Sequence, residues 1–229
     1  MKKVFPILCV VTAVLLSYAL YQALEVAPTE ATMGDVQRIF YYHVPSAWTA
    51  FLLFTINLVA SVIYLFRRSV KADIVALVSA EVGVVFCTVV LVTGPIWARP
   101  VWGIWWTWDM RLTSTLIMWL IYVSYLMLRR FSSSGQTAML AATLSVFGAL
   151  CVPFVYFSIW FFRTQHPSPV IGGGGSLDPR MGRVLLINWL AFLFFAFVVC
   201  WSRYRLEVVK REVEEAQAME DLALPRSAR

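Results

Sequence analysis

Six long apolar stretches constrain this chain more than any other feature of its sequence. They cover residues 4–24, 44–66, 74–94, 112–128, 137–160 and 183–202. An α-helix needs roughly 20 apolar residues to cross the hydrocarbon core of a bilayer. Open backbone cannot face lipid, and the stretches lack the alternation that is typical of barrel strands. We therefore predict an all-α, polytopic membrane protein with six transmembrane helices.

The composition supports this class, and the basic residues predict its orientation. The chain is 60% hydrophobic and 14% charged, which excludes an ordinary soluble domain. One side of a six-span topology carries thirteen Lys and Arg residues, and the other side carries six. The positive-inside rule then puts both termini in the cytoplasm. The net charge of +6 reflects this topology, so we expect no nucleic-acid partner.

The two ends of the chain allow simple interpretations. Lys2 and Lys3 precede the first apolar run, as in a signal peptide, but the run is long and no small-x-small cleavage site follows. We expect an uncleaved membrane anchor. We also expect a six-helix membrane domain over residues 1–205 and a charged, helix-prone cytoplasmic tail over 206–229.

The four cysteines lie inside predicted spans without a C-x-x-C pair, so we expect no disulfide.

A tryptophan-rich run lies between the third and fourth spans, on the predicted outer side. Residues 97–113 hold five of the ten tryptophans. At 3.6 residues per turn, one helical face would carry Trp102, Trp105, Trp106 and Asp109. Trp108 would lie at its edge and Arg111 would point away, while Pro95 and Pro100 would end the preceding helix. We predict a short amphipathic segment that presents an indole platform. The alternative is an interfacial anchor that only contacts membrane lipid.

The only two histidines flank this run. His43 and His166 fall in the outward loops at 25–43 and 161–182, close to the ends of spans. Imidazole is the usual protein ligand of haem iron, so one histidine from each loop could bind an iron porphyrin between them. The alternative is that each is an ordinary interfacial residue beside aromatic side chains.

Charged residues near the run are candidate partners for the two propionates of a porphyrin. The outward arginines are Arg38, Arg99, Arg111 and Arg163. Lipid phosphate is the alternative partner for each. Asp109 could orient an indole N–H, pair with Arg111, or supply a negative charge to the start of the fourth span.

The third outward loop and the third span hold further polar signals. Gly172–Gly175 predict a flexible segment, and Asp178 with Pro179 predicts a helix start. Glu81 lies inside the third span. We favour a polar partner on a neighbouring helix for it over a proton or ion site. Two residues are candidates for packing hydrogen bonds between helices: Asn57 and Asn188.

The segment Trp102–Thr113 resembles the tryptophan-rich signature of the haem-handling proteins of cytochrome c maturation. Six spans, this length and one histidine in each flanking loop resemble the CcmC family, also called haem exporter protein C. The resemblance covers nearly the whole chain. Larger relatives that share the signature have many more spans.

The resemblance implies haem b on the periplasmic side of a bacterial inner membrane. It implies that His43 and His166 are the axial ligands of the iron and that Arg111 is a propionate partner. It assigns the platform under the macrocycle to Trp102, Trp105, Trp106, Trp108 and Asp109. It also implies transfer of haem to a periplasmic haem chaperone. Because Gly172–Gly175 lie a few residues beyond His166, we hypothesise in addition that motion of this loop releases His166 during transfer.

The resemblance also implies partner subunits. They are a small single-span accessory subunit and the ATPase and permease subunits of an ABC transporter. Because the chain has no Gly-x-x-x-x-Gly-Lys-Ser/Thr loop, any ATPase must be another polypeptide. We expect a lyase-like haem-transfer assembly factor rather than a turnover enzyme.

Two other classes stay open. A membrane-bound bis-histidine cytochrome that exchanges electrons with quinone usually has its ligands within the spans, whereas both histidines here are expected near span ends. A permease subunit of an ABC transporter, moving haem or another solute, needs polar residues along a path between spans. Glu81 is the main candidate for such a path.

Overall fold

Six helical segments in the computed structural model are long and apolar enough to cross a membrane, as the sequence predicts. The structure describes residues 4–132, 134–166 and 177–223. The six segments are Val4–Val26, Asp35–Arg67, Val70–Trp102, Met110–Phe131, Thr137–Phe161 and Pro179–Leu222. The described residues form no β-strand. The predicted class, an all-α polytopic membrane protein, is confirmed.

The α-helices are numbered here in chain order. They are α1 Val4–Tyr21, α2 Phe40–Arg67, α3 Val70–Trp102, α4 Met110–Phe131, α5 Thr137–Ala149, α6 Cys151–Phe161 and α7 Pro179–Ala223. A π-helical turn, Gln22–Val26, extends α1, and a 3-10 turn, Asp35–Ile39, precedes α2. Helices α5 and α6 together form one span. Pro153 lacks the N–H that would continue the α-helical bonding across their junction.

The two ends of the bundle differ in composition. We call one the Trp-rich end; it carries the α1–α2 connection, the α3–α4 connection and residues 162–166. We call the other the basic end; it carries the α2–α3 and α4–α5 connections. At the basic end α2 ends at Arg67, and the next residue, Arg68, has φ 53°. Ser69 caps α3 by accepting the N–H of Ala72. This two-residue turn makes α2 and α3 antiparallel neighbours.

Two helix boundaries differ from the prediction. Helix α2 begins at Phe40, so His43 lies in its first turn and not in a loop. Helix α3 continues through Pro95 and Pro100, where we expected it to end. Each proline removes one backbone hydrogen bond, but in apolar surroundings open backbone would leave many more groups unsatisfied. The helix is therefore the lower-energy state across both prolines.

Small and polar residues join the helices inside the bundle. The Phe54 ring stacks on Tyr122 with centroids 3.8 Å apart, and a Cβ on Gly83 would come within 2.8 Å of that phenyl ring. Asn57 donates to the Ala76 carbonyl over 2.7 Å, and Asn188 donates to the Ala19 carbonyl over 3.3 Å. The predicted packing hydrogen bonds of both asparagines are present.

Ion pairs attach the last helix to α3. Glu81 accepts two hydrogen bonds from Arg203, both 2.8 Å long, which confirms the expectation of a polar partner on a neighbouring helix. Nearer the basic end, Asp73 accepts from Arg129 of α4 at 2.5 and 2.8 Å and from Arg211 of α7 at 2.8 Å. These bonds hold three helices together at one carboxylate.

Helix α7 runs unbroken past the predicted limit of the membrane domain at residue 205. Glu207 is buried and accepts from Arg211 over 3.0 Å, so the first turns after residue 205 pack against the bundle. The division into a membrane domain at 1–205 and a tail at 206–229 stays a prediction.

The Asp73 cluster gives a test of the fold. The side chains of Asp73 and Arg129 are 5% and 11% exposed, so Asp73→Asn leaves buried guanidinium charge without a counter-ion. Breaking a buried pair costs about 3–5 kcal/mol, which corresponds to a drop of roughly 6–20 °C in unfolding temperature for a chain of this size. Thermal unfolding in detergent measures the drop.

The matched control is Glu214→Gln. It removes the Lys210–Glu214 pair on α7, the helix of Arg211, and the two side chains are 58% and 59% exposed. An exposed pair contributes less than about 1 kcal/mol. Equal shifts for the two variants would contradict the proposed importance of the Asp73 cluster.

Candidate functional site

The tryptophan-rich segment is not the amphipathic helix that its periodicity predicts. Helix α3 ends at Trp102, because Gly103 adopts a left-handed conformation with φ 77° and donates its N–H to the Arg99 carbonyl. Residues 103–109 then form an irregular connection, and Asp109 begins α4 as its N-cap. The predicted shared face of Trp102, Trp105, Trp106 and Asp109 is therefore wrong. The orientation of Arg111 that was derived from this face stays a prediction without that basis.

The indoles of this connection still collect at one end of the bundle. Trp105 and Trp108 are 59% and 74% exposed, whereas Trp106 is half-buried. Trp106 meets Trp108 edge to face, with ring centroids 5.7 Å apart. The Nε1 atoms of Trp97 and Trp106 are buried and have no hydrogen-bond partner among the described residues. The segment thus offers exposed apolar rings and two unused indole donors.

Asp109 joins this connection to the segment that follows α6. Its Oδ1 accepts the N–H of Leu112 at 3.0 Å, which caps α4. Its Oδ2 accepts from Thr107 at 3.1 Å, from Thr164 at 2.8 Å and from the N–H of Gln165 at 3.3 Å. Of the three roles considered for Asp109, the negative charge at the start of the fourth span is the one that these contacts support.

Two opposing effects determine the pKa of Asp109. Partial burial raises it, but the hydrogen bonds from the Leu112 N–H, Thr164, Thr107 and the Gln165 N–H together lower it below the ordinary value of 3.8. The stabilisation from these bonds is therefore complete above pH 3.8 and is lost as the pH falls through the lowered pKa. Asp109 is a carboxylate at neutral pH.

The same contacts position the second histidine. Thr164 donates to Asp109, and its hydroxyl oxygen accepts the backbone N–H of His166 at 3.1 Å. A chain of hydrogen bonds therefore runs from the start of α4 to the backbone of His166. It holds residues 164–166 against the tryptophan-rich connection.

The first histidine lies on a different pair of helices. His43 is 8% exposed in the first turn of α2, and its Nδ1 is 2.8 Å from the hydroxyl oxygen of Thr93 on α3. Its ring meets Trp97 edge to face at 5.8 Å. A Cβ on Gly94 would lie 3.4 Å from the imidazole Cε1, so glycine leaves that ring edge uncrowded.

The two histidines and Arg111 come together at the Trp-rich end. His43 interacts electrostatically with both His166 and Arg111. Arg111, in the first turn of α4, has a buried Nη1 with no hydrogen-bond partner among the described residues. The structure thus brings two imidazoles and an incompletely bonded guanidinium beside the tryptophans.

Two of the other predicted arginines, Arg38 and Arg99, contact backbone. Arg38 donates from Nη1 to the carbonyls of Ala23 and Ala27, at 3.0 and 2.6 Å, and so fixes the end of the first span. Arg99 donates to the carbonyl of Gly103. Arg163 is exposed. Contact of these arginines with propionates stays a prediction.

The third loop is described in part. Gly172–Gly175 lie outside the described residues. Asp178 accepts the N–H of Arg180 at 2.7 Å, and Pro179 is the first residue of α7, so the predicted helix start is confirmed.

Thr93 and Thr164 are the site residues that sequence reasoning missed. They contact His43 and Asp109 across 50 and 55 residues of chain. No local spacing connects such pairs. The only signal was a threonine within an apolar span and another beside a histidine, and both patterns are common.

Comparison with known proteins gives the family. The family model "Heme exporter protein C" (CcmC) matches residues 1–219. The chain belongs to this family. A Heme exporter protein C from Bradyrhizobium diazoefficiens is 35% identical over 221 residues, which are 95% of this chain and 84% of that protein.

More distant relatives also match most of the chain. A Heme exporter protein C from Escherichia coli is 30% identical over 201 residues, covering 87% of this chain and 82% of that protein. A Marchantia polymorpha protein described as a candidate ccmC-like mitochondrial protein of cytochrome c biosynthesis is 32% identical over 181 residues. That match covers 79% of this chain and 77% of that protein. The predicted membership of the CcmC family is confirmed.

Asp109→Asn tests the connection between the two segments. Asparagine is still a good N-cap, so α4 keeps its start, but its amide nitrogen cannot accept from Thr164 or the Gln165 N–H. Hydrogen bonds to a charged acceptor contribute about 1.5–3 kcal/mol, so amide exchange across 164–166 should accelerate about 10- to 100-fold. Hydrogen exchange with mass spectrometry measures this rate.

Asp178→Asn is the control, because it makes the same change at the N-cap of α7 without touching residues 164–166. Unchanged exchange in Asp109→Asn, or equal acceleration in both variants, would show that Asp109 does not hold this segment.

Proposed function

We propose that this protein binds haem b at its Trp-rich end and transfers it to a periplasmic haem chaperone during cytochrome c maturation. The names of its family and of the Marchantia relative support a role in haem handling for that process. The observation that carries the proposal is the position of the histidines. The chain's only two lie at the same end, near enough for their charges to interact, beside the tryptophan-rich connection.

The residues at this end fit an iron porphyrin. A buried guanidinium N–H without a partner is costly, and a propionate carboxylate would satisfy the Nη1 of Arg111. The indole Nε1 of Trp106 is a second buried donor without a described partner. Exposed rings of Trp105 and Trp108 provide flat apolar surface. These features match a flat apolar molecule with a carboxylate edge.

Each residue has a defined part in the proposed mechanism. Haem, when bound, supplies the vinyl group that reacts with the chaperone. His43 and His166 bind the iron, the tryptophans of the connection exclude water from the macrocycle, and Arg111 orients a propionate. Asp109 holds the His166 segment in place through Thr164. The protein therefore contributes position and coordination rather than a catalytic base or nucleophile.

The proposed location follows from the basic residues. In the predicted topology, thirteen of the nineteen Lys and Arg residues belong to the side opposite the tryptophan-rich connection, which supports a periplasmic haem site in a bacterial inner membrane. The haem chaperone would dock at the exposed rings of the Trp-rich end. The single-span accessory subunit and the ABC transporter subunits are further proposed partners, and ATP hydrolysis belongs to the transporter.

One observation favours the cytochrome alternative. His43 lies inside a helix, as ligands of membrane-bound bis-histidine cytochromes usually do. Its position in the first turn, with His166 outside a helix, still places both imidazoles at one end of the bundle. The permease alternative loses support from Glu81, because Arg203 occupies both of its carboxylate oxygens.

Haem binding by purified variants tests the proposal. Wild-type protein supplied with haem and chaperone should show the absorption bands of histidine-bound iron. His43→Ala and His166→Ala should each lower haem affinity by about 10- to 100-fold or more and shift these bands. Trp106→Ala should lower haem occupancy with both imidazoles intact. Trp201→Ala, in the part of α7 nearer the basic end, is the control and should bind haem normally.

Three results would count against the proposal. Wild-type protein that never binds haem, or histidine variants with unchanged spectra, would remove its basis. Haem that cycles between oxidation states with quinol but never reaches the chaperone would support the cytochrome instead.

A further inference from the structure

We propose that Thr93 is a positioning residue for His43: its hydroxyl fixes the imidazole tautomer that leaves Nε2 free to bind iron. The tautomer is a property of the chain itself. Its consequence for iron rests on the proposed function.

The direction of the hydrogen bonds follows from the single hydroxyl hydrogen of Thr93. That hydroxyl donates to the backbone carbonyl of Val89 at 2.7 Å, one turn earlier in α3. Its oxygen can then only accept from His43, whose Nδ1 is 2.8 Å away. Nδ1 of His43 therefore carries the proton. In the neutral imidazole the lone pair available for a metal is then on Nε2.

The surroundings of the ring maintain this arrangement. Thr93 anchors the Nδ1 edge, and Trp97 packs against the imidazole one turn further along the same helix. Gly94 contributes no side chain beside Cε1, the ring carbon between Nδ1 and Nε2. Residues 93 and 97 of α3 thus hold the imidazole in place, and Gly94 leaves Cε1 uncrowded.

This contact has a chemical effect on a metal-binding imidazole. An acceptor on the distal N–H fixes the orientation of the ring and makes the other nitrogen a stronger base. Without the acceptor, the buried Nδ1–H loses its partner and the ring can exchange its proton to Nε2 or rotate. Loss of such outer contacts typically lowers metal affinity by about 10- to 100-fold.

The tautomer is measurable without haem. The chain has two histidines, so ¹⁵N-histidine labelling with a histidine-free affinity tag gives few ring signals. His166→Ala leaves His43 as the only source. Above roughly pH 7, where imidazole is neutral, His43 should show a protonated Nδ1 and an unprotonated Nε2. A protonated Nε2 in this background would overturn the proposal.

Two substitutions at residue 93 separate the hydroxyl from packing. Thr93→Val keeps the shape of the side chain and removes the acceptor, so the ring signals should shift toward a mixture of tautomers. Thr93→Ser keeps the hydroxyl and should retain the wild-type signals. Unchanged signals in Thr93→Val would overturn the proposal.

Thr88→Val is the matched control. Thr88 lies on the same helix, donates to the Val84 carbonyl at 2.8 Å and accepts the indole N–H of Trp119 at 2.8 Å. Its substitution removes the same kind of buried contact away from His43. The His43 signals should stay as in the wild type, and a change equal to that of Thr93→Val would point to general loosening of α3.

A second arm uses haem. Thr93→Val should bind haem about 10- to 100-fold more weakly and raise the midpoint potential of the iron, while Thr93→Ser and Thr88→Val should match the wild type. If wild type and Thr93→Val bind haem with the same affinity and the same midpoint potential, the positioning role of Thr93 is wrong. The proposed function is unaffected by that result. If the wild type binds no haem, the proposed function fails whatever the tautomer of His43.

Discussion

The antiparallel packing of α2 against α3 positions the whole Trp-rich end. The turn between them spans Arg68 and Ser69, so the first turn of α2 must lie opposite the last turns of α3. This register brings His43 to Thr93 and Trp97. Because backbone groups in lipid are satisfied within each helix, the short turn and side-chain contacts of this kind together set the register of the two helices.

The fold was predictable from the sequence because its determinants are local. Apolar length identifies a span, and Pro179 after Asp178 marks a helix start. Helix boundaries that depend on backbone conformation were not predictable from apolar length. Helix α2 begins at Phe40, where hydropathy is low, and α3 continues through two prolines. The tryptophan periodicity between α3 and α4 was misleading, because the left-handed Gly103 ends a helix that the pattern alone would extend.

The candidate site was predictable only in part. The histidines stood out because they are rare, and the tryptophans because they are clustered. The residues that hold them in place lacked any such signal. Thr93 lies 50 residues from His43, and Arg203 lies 122 residues from Glu81. Such pairs arise from the packing of whole helices, and a single threonine or arginine has the same appearance whether or not it has a distant partner.

The shared Oδ2 of Asp109 has a thermodynamic consequence. One oxygen accepts from Thr107 on the tryptophan-rich connection and from Thr164 and Gln165 after α6. Order in either segment therefore lowers the entropic cost of ordering the other, and the coupling free energy is the same in both directions. Binding of a molecule to the indoles should therefore stabilise the ordered state of residues 164–166. A protein that displaces those residues should lower the affinity of the indoles for that molecule by the same factor.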